Sequence, residues 1–197
     1  MTARSHAAGA GRLACSALLM LLSAAATAQS RVPDPDPALR AALIEAVEAS
    51  DSFGHRFDAE VWLLDMSGRL QRFMPDDDDR LEFLRLVHAE AQRAEVSPEL
   101  VLALIEVESL FDRFAISSAG ALGFMQVMPF WLDELGRPDD NLFNPQTNLR
   151  YGCTILRHYL DRERDALIPA LARYNGSYGK TWYAERVLKA FERRWRP

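Results

Sequence analysis

Cysteine is almost missing from this chain. Two occur, Cys15 and Cys153, and only the second lies outside the apolar N-terminal stretch. A disulfide-stapled fold and a cysteine-rich metal site are both excluded by that count. An excess of basic charge is also lacking: the formal net charge is −5, which argues against nucleic acid or an anionic membrane surface as partner. After the first thirty residues no run approaches the roughly 18 uninterrupted apolar residues of a membrane span. Internal repeats are absent, and the one low-complexity tract is Asp76–Asp79. Those four aspartates lack the D-x-[DN]-x-[DN]-G spacing and closing glutamate of a calcium loop. As acidic residues ahead of Arg80-Leu81-Glu82-Phe83-Leu84 they suit the positive end of a helix dipole. His88 has no Cys, His or Glu partner at metal spacing and reads as a core or boundary residue. No metal or organic cofactor is expected.

What is present begins with a leader. Arg4 and Arg12 precede the apolar stretch Leu13–Leu22, and Ala26-Thr27-Ala28 offers an A-x-A cleavage site. Residues 1–28 have the form of a secretory signal peptide, with an uncleaved anchor as the alternative. Arg12-Leu13-Ala14 before Cys15 makes a poor lipoprotein signal. Cleavage would remove Arg4, Arg12 and Cys15, taking the formal charge from −5 to −7 and leaving Cys153 as a small buried hydrophobe inside a helix. The mature protein is expected to be exported and periplasmic.

Beyond the extended Pro33-Asp34-Pro35-Asp36-Pro37 the pattern is helical almost throughout. Helices are expected over 38–50, 57–74, 81–95, 98–110, 145–162, 165–175 and 181–195. The second is ambiguous, because Ser67-Gly68 could instead turn a hairpin. Ser97-Pro98 supplies an N-cap serine and a first-turn proline, and Pro169 suits the first turn of its own helix. The 98–110 segment is apolar on every side, through Val101, Leu102, Ala103, Leu104, Ile105, Val107 and Leu110. A helix of that kind is buried, so it is the expected centre of the domain.

Glu106 and Glu108 both lie in that helix, and residues two apart point to nearly opposite sides. Glu108 stands at i+4 from Leu104 and i+7 from Val101. A carboxyl in apolar surroundings keeps its proton to higher pH, which suits general-acid work near neutrality. Taken alone, a structural ion pair with an arginine such as Arg113 explains it equally well. Downstream, Ser117-Ser118-Ala119-Gly120-Ala121-Leu122-Gly123 is a turn of small residues that lets backbone approach a ligand. Gln126 follows, with a donor and an acceptor suited to an amino sugar. Tyr174-Asn175-Gly176 ends a helix, with Gly176 at C′; it is either a structural corner or the opposite wall of a groove.

Three blocks together resemble the soluble lytic transglycosylase family, lysozyme-like enzymes that cut bacterial peptidoglycan. They are Ala103-Leu104-Ile105 with Glu108-Ser109-x-Phe111, then Gly120-Ala121-x-Gly123-Phe124-Met125-Gln126-Val127-Met128-Pro129, then Ala172-x-Tyr174-Asn175-Gly176 with Tyr183 and Val187 after it. Asn144-Pro145-x-x-Asn148-x-x-x-Gly152 fits the connecting helix, and the resemblance covers about residues 81–191. Phe124 for leucine, Trp131 for threonine and Arg173 for a small residue are its departures. The resemblance implies an all-α, lysozyme-like domain around a buried central helix, residues 81–197, with an N-terminal helical extension, residues 29–80, of unassigned role. It implies a non-hydrolytic cut of the MurNAc–GlcNAc bond that leaves 1,6-anhydromuramyl ends, with Glu108 as the single acid and base. It also implies sugar contacts or support from Ser109, Ser117, Gln126 and Met128, with Tyr174 in hydrogen-bond reach of Glu108 and Asn175 holding the corner. Peptidoglycan strands are the implied partner. The rival readings are a hydrolytic muramidase using Asp112, Asp133 or Asp140 as second carboxylate, a non-catalytic glycan-binding module, and an envelope or secretion-machine component docked through 29–80.

Overall fold

Helices form where caps and apolar periodicity coincide. A computed structural model describes residues 56–196 except 136, together with residue 37, all within one unit, Asp34–Pro197. The expected signal peptide and the 38–50 helix lie outside the described residues. Seven α-helices follow in order among the described residues: α1 (Arg56–Leu70), α2 (Asp77–Arg93), α3 (Pro98–Glu108), α4 (Phe130–Glu134), α5 (Pro145–Arg162), α6 (Leu167–Tyr174) and α7 (Trp182–Ala190). The fold is all-α, as the sequence predicts; only isolated bridges, Ile116 with Leu122 and Leu122 with Val127, occur beside the helices among the described residues.

The central helix is α3. Ser97 caps it, its hydroxyl accepting from Leu100 N–H at 3.2 Å, and Pro98 occupies the first turn. Leu100 through Glu106 are all buried in it. It packs against α2 and α7 and against a π-helical turn, Phe191–Trp195, that continues α7. The sequence predicts one uninterrupted helix over 181–195. The π turn widens the ladder by a residue and swings both Arg194 and Trp195 toward Glu106 on α3. Arg194 pairs with Glu106 Oε1, and the Trp195 indole N–H donates to Oε2 at 2.8 Å.

Asp76 caps α2 by accepting from Asp79 N–H at 2.9 Å, so the aspartate run opens a helix. The ambiguous 57–74 segment is the helix α1, which buries Met66 and Leu70 completely against α2 and the π turn. α5 is joined to α2 by Glu90, whose carboxylate takes 2.7 Å bonds from Arg150 on α5 and Arg93 on α2. Cys153 on α5 is fully buried, and burial pushes its thiol far up, so it is an inert packing group.

Candidate active site

Glu108 is the last residue of α3, where the apolar helix meets the Gly-rich loop. Behind it the chain turns sharply: Leu110 and Phe111 both carry positive φ, 52° and 64°. Such a conformation costs a non-glycine residue about 1–2 kcal/mol. Packing holds it, since the Phe111 ring lies 4.9 Å from Phe73, 5.5 Å from Trp195 and 6.0 Å from Phe83. Ser109 ties helix to loop, its hydroxyl donating to Phe124 O at 2.8 Å.

The loop is stitched from outside by one buried side chain. Asn148 on α5 accepts from Met125 N–H at 2.8 Å and donates to Leu122 O and Leu142 O, both at 2.9 Å. Gly123 is required beneath it: its φ is +72°, and a Cβ there would stand 2.5 Å from the Asn148 amide. Gly152 is required too, because a Cβ would lie 2.4 Å from Met125 Sδ. The i, i+4 spacing of Asn148 and Gly152 on α5 therefore makes one seat for Met125.

The groove-facing groups sort as follows. Tyr183 on α7 donates its hydroxyl to Glu108 Oε1 at 2.5 Å. Burial, together with the Glu108 charge, pushes that phenol well above its usual range, so it stays a donor. Glu108 itself is raised from 4.5 to about 7, with desolvation as the cause, opposed by the Tyr183 bond and the Arg186 charge. A carboxyl of that kind is protonated or ionised in comparable amounts near neutrality. It can give a proton and take one back.

One expectation is corrected here. The hydroxyl within reach of Glu108 belongs to Tyr183, whereas the Tyr174 hydroxyl donates to Met125 O at 2.8 Å. Tyr174 braces the loop because α6 runs toward Met125 while α7 lies along α3. Both Gln126 amide hydrogens are spent inside the loop, on Gly123 O at 2.9 Å and Ala115 O at 3.2 Å. What Gln126 offers a ligand is its carbonyl oxygen. The Ser117 hydroxyl accepts from Ala121 N–H at 2.9 Å, Met128 is partly buried against the core, and Asn175 is an exposed C-cap with Gly176 after it at φ +75°. Arg113 is not the partner of Glu108: its Nε donates to Phe143 O at 2.7 Å. Among the rival carboxylates, Asp112 accepts from Phe114 N–H and Asp140 from the Tyr151 hydroxyl.

The family model of the transglycosylase SLT domain matches residues 85–194, more than half the chain. This chain belongs to the transglycosylase SLT domain family. Among its relatives is the membrane-bound lytic murein transglycosylase C of Actinobacillus pleuropneumoniae serotype 5b (strain L20), 33% identical over 121 residues, which are 56% of this chain and 33% of that protein. The transglycosylase of Enterobacteria phage PRD1 is 30% identical over 105 residues, 53% of this chain and 39% of that one. A solved structure, an inactive variant of the lytic transglycosylase Slt from Pseudomonas aeruginosa, overlaps 54% of this chain and 20% of its own at TM-score 0.44 and 22% identity. This SLT chain spans about a third of the length of the curated relatives it matches.

Within the SLT match, sequence reasoning named Glu108 but not the role of Tyr183 or Arg186. A signal existed. Tyr183, Val187 and Ala190 sit at i, i+4 and i+7 on the buried face of α7, so a hydroxyl on that face must find a partner.

Proposed function

We propose that this chain is a peptidoglycan lytic transglycosylase in which Glu108 is both acid and base. The observation that carries the reading is a carboxyl of pKa about 7 at the end of the buried helix, held by one tyrosine hydroxyl and no neighbouring carboxylate among its hydrogen-bond partners. Glycosidases that consume water need two carboxyl groups. A single poised carboxyl suits an intramolecular displacement. The family membership and the murein-cleaving names of the relatives point to the same substrate.

In the first step Glu108 protonates the oxygen linking N-acetylmuramic acid to N-acetylglucosamine, and the C1–O bond breaks. The substrate's own acetamido oxygen stabilises the positive charge at C1, as in other substrate-assisted cases. Glu108, now ionised, accepts the Tyr183 hydroxyl bond and the field of Arg186, both of which favour the carboxylate. It then removes the proton of the muramic C6 hydroxyl, whose oxygen closes on C1. The proton lent is returned, and water is not consumed.

Tyr183 and Ser109 orient the acid and its loop; Ser117, Gln126 and Met128 meet sugar, and Tyr174 with Asn175 forms the facing wall. The chemistry asks for no metal or organic cofactor. Such a substrate places the protein in the periplasm, consistent with the export signal.

Mass spectrometry of soluble products from purified sacculi tests this. Anhydromuropeptides from wild type, and none from Glu108→Gln, are expected. Products heavier by one water would instead mean a hydrolase, and release by Glu108→Gln would remove Glu108 from its role.

A further inference from the structure

A second concavity, of about 240 Å³, lies on the other side of the Gly-rich loop from Gln126, with Phe124 in its wall. That is room for roughly eight waters at about 30 Å³ each. Its floor is aromatic: Phe83, Phe111 and Phe124, with Phe83 4.5 Å from Phe124 and 6.0 Å from Phe111. Its rim is charged with both signs. Asp79 and Glu82 stand at i, i+3 on α2, directly beside Phe83, while Arg113 stands across from them on the turn that follows α3.

None of these three charges is used by the fold. The carboxylates of Asp79 and Glu82 make no hydrogen bond or ion pair among the described residues, in contrast to Asp77, which pairs with Arg80. Arg113 is anchored through Nε on Phe143 O, which aims the guanidinium and leaves its terminal nitrogens free. An exposed charge costs nothing to leave unpaired, but three converging on an apolar floor make a template. It fits a ligand with an aliphatic body, an ammonium for the two carboxylates and a carboxylate for the guanidinium. No hydroxyl or carboxamide side chain lines the hollow, so a neutral sugar finds few of its usual partners there.

We propose that this pocket binds the peptide part of the substrate, through a residue bearing a free side-chain amine and a carboxylate, the chemistry of the diamino acid in a wall stem peptide. This rests on the peptidoglycan reading. The Ser109–Phe124 bond joins the pocket wall to the end of α3, so a peptide seated here lies against the same loop that carries Gln126.

Calorimetric titration of the purified protein with N-acetylmuramyl-tripeptide ending in diaminopimelic acid tests the assignment. Saturable binding is expected, weakened about tenfold by Arg113→Gln, by Glu82→Gln and by acetylating the ligand's side-chain amine, since each removes one charge-assisted contact. Glu108→Gln should bind as wild type does. No saturable binding at millimolar ligand would overturn the proposal, as would binding indifferent to both pocket variants. Equal affinity for free diaminopimelic acid would overturn the assignment to a wall peptide. Binding without release of muropeptides from sacculi would refute the cleavage reaction while supporting the pocket; cleavage without tripeptide binding would refute the pocket alone.

Discussion

Glu108→Gln should do more than stop catalysis; it should change how stability depends on pH, in a direction the structure fixes. In the unfolded chain Glu108 titrates at its ordinary 4.5, and in the fold at about 7, because desolvation disfavours the carboxylate. Between those values the folded state holds a proton that the unfolded state has released. Stability then falls as pH rises. The favourable contribution is complete below about pH 4.5 and has been lost once pH passes about 7. Glutamine has the same shape and no proton to lose.

The size follows from the shift. At about 1.4 kcal/mol per pK unit, 4.5 to about 7 gives a ceiling of roughly 3 kcal/mol. Glu108 is partly exposed, and solvent screening lowers this to about 2 kcal/mol. For a chain of this length that is about 4–8 °C in Tm. Guanidinium unfolding of both proteins, followed by tryptophan fluorescence, measures it; Trp195 is fully buried and reports the fold. The variant's advantage over wild type should grow by about 2 kcal/mol between pH 4.5 and pH 8. A difference independent of pH would refute the claim that Glu108 is desolvated, and with it the claim that the fold poises this acid. A variant growing relatively weaker with rising pH would reverse the sign and mean that the carboxylate is stabilised.

Two further outcomes follow from the same contacts. Tyr183→Phe removes the hydroxyl that favours ionised Glu108, so the basic limb of the kcat/KM profile should move to higher pH, with the maximum lowered roughly tenfold; an unmoved limb in a pH-rate series would show that the bond does not reach the acid. Glu106→Gln keeps an acceptor for Trp195 but strands the Arg194 guanidinium, whose side chain is 11% exposed. It should cost about 3 kcal/mol in urea unfolding and leave the pH profile of cleavage in place.

The central helix was legible because its signal is local. A serine, a proline and an all-round apolar run specify where it starts and that it is buried, and both hold in the structure. Glu108 was legible for the same reason, since its surroundings along the helix already state its desolvation. Tyr183 was harder. Seventy-five residues separate it from Glu108, and the choice between it and Tyr174 depends on which of α6 and α7 runs along α3, a matter of tertiary packing that no periodicity records. The π turn escaped for a related reason: it answers to Glu106 on another helix rather than to anything in Phe191–Trp195.

The two glutamates of α3 show how a fold assigns roles that composition leaves equal. Two residues apart on one helix, they turn to opposite sides, and both enter partly or wholly apolar space. Glu106 meets a guanidinium and an indole N–H from the π turn, a pairing that offsets its desolvation and commits it to structure. Glu108 meets a single neutral hydroxyl, with Arg186 acting only at a distance, too little to offset desolvation, and its proton affinity rises. Full compensation makes the first an anchor, and incomplete compensation makes the second an acid. Exchanging their partners, by supplying Glu108 with a close guanidinium, would lower its pKa and leave it ionised at neutral pH, unable to protonate a leaving group. The chemistry of this site therefore depends on what the fold withholds from Glu108 as much as on what it supplies.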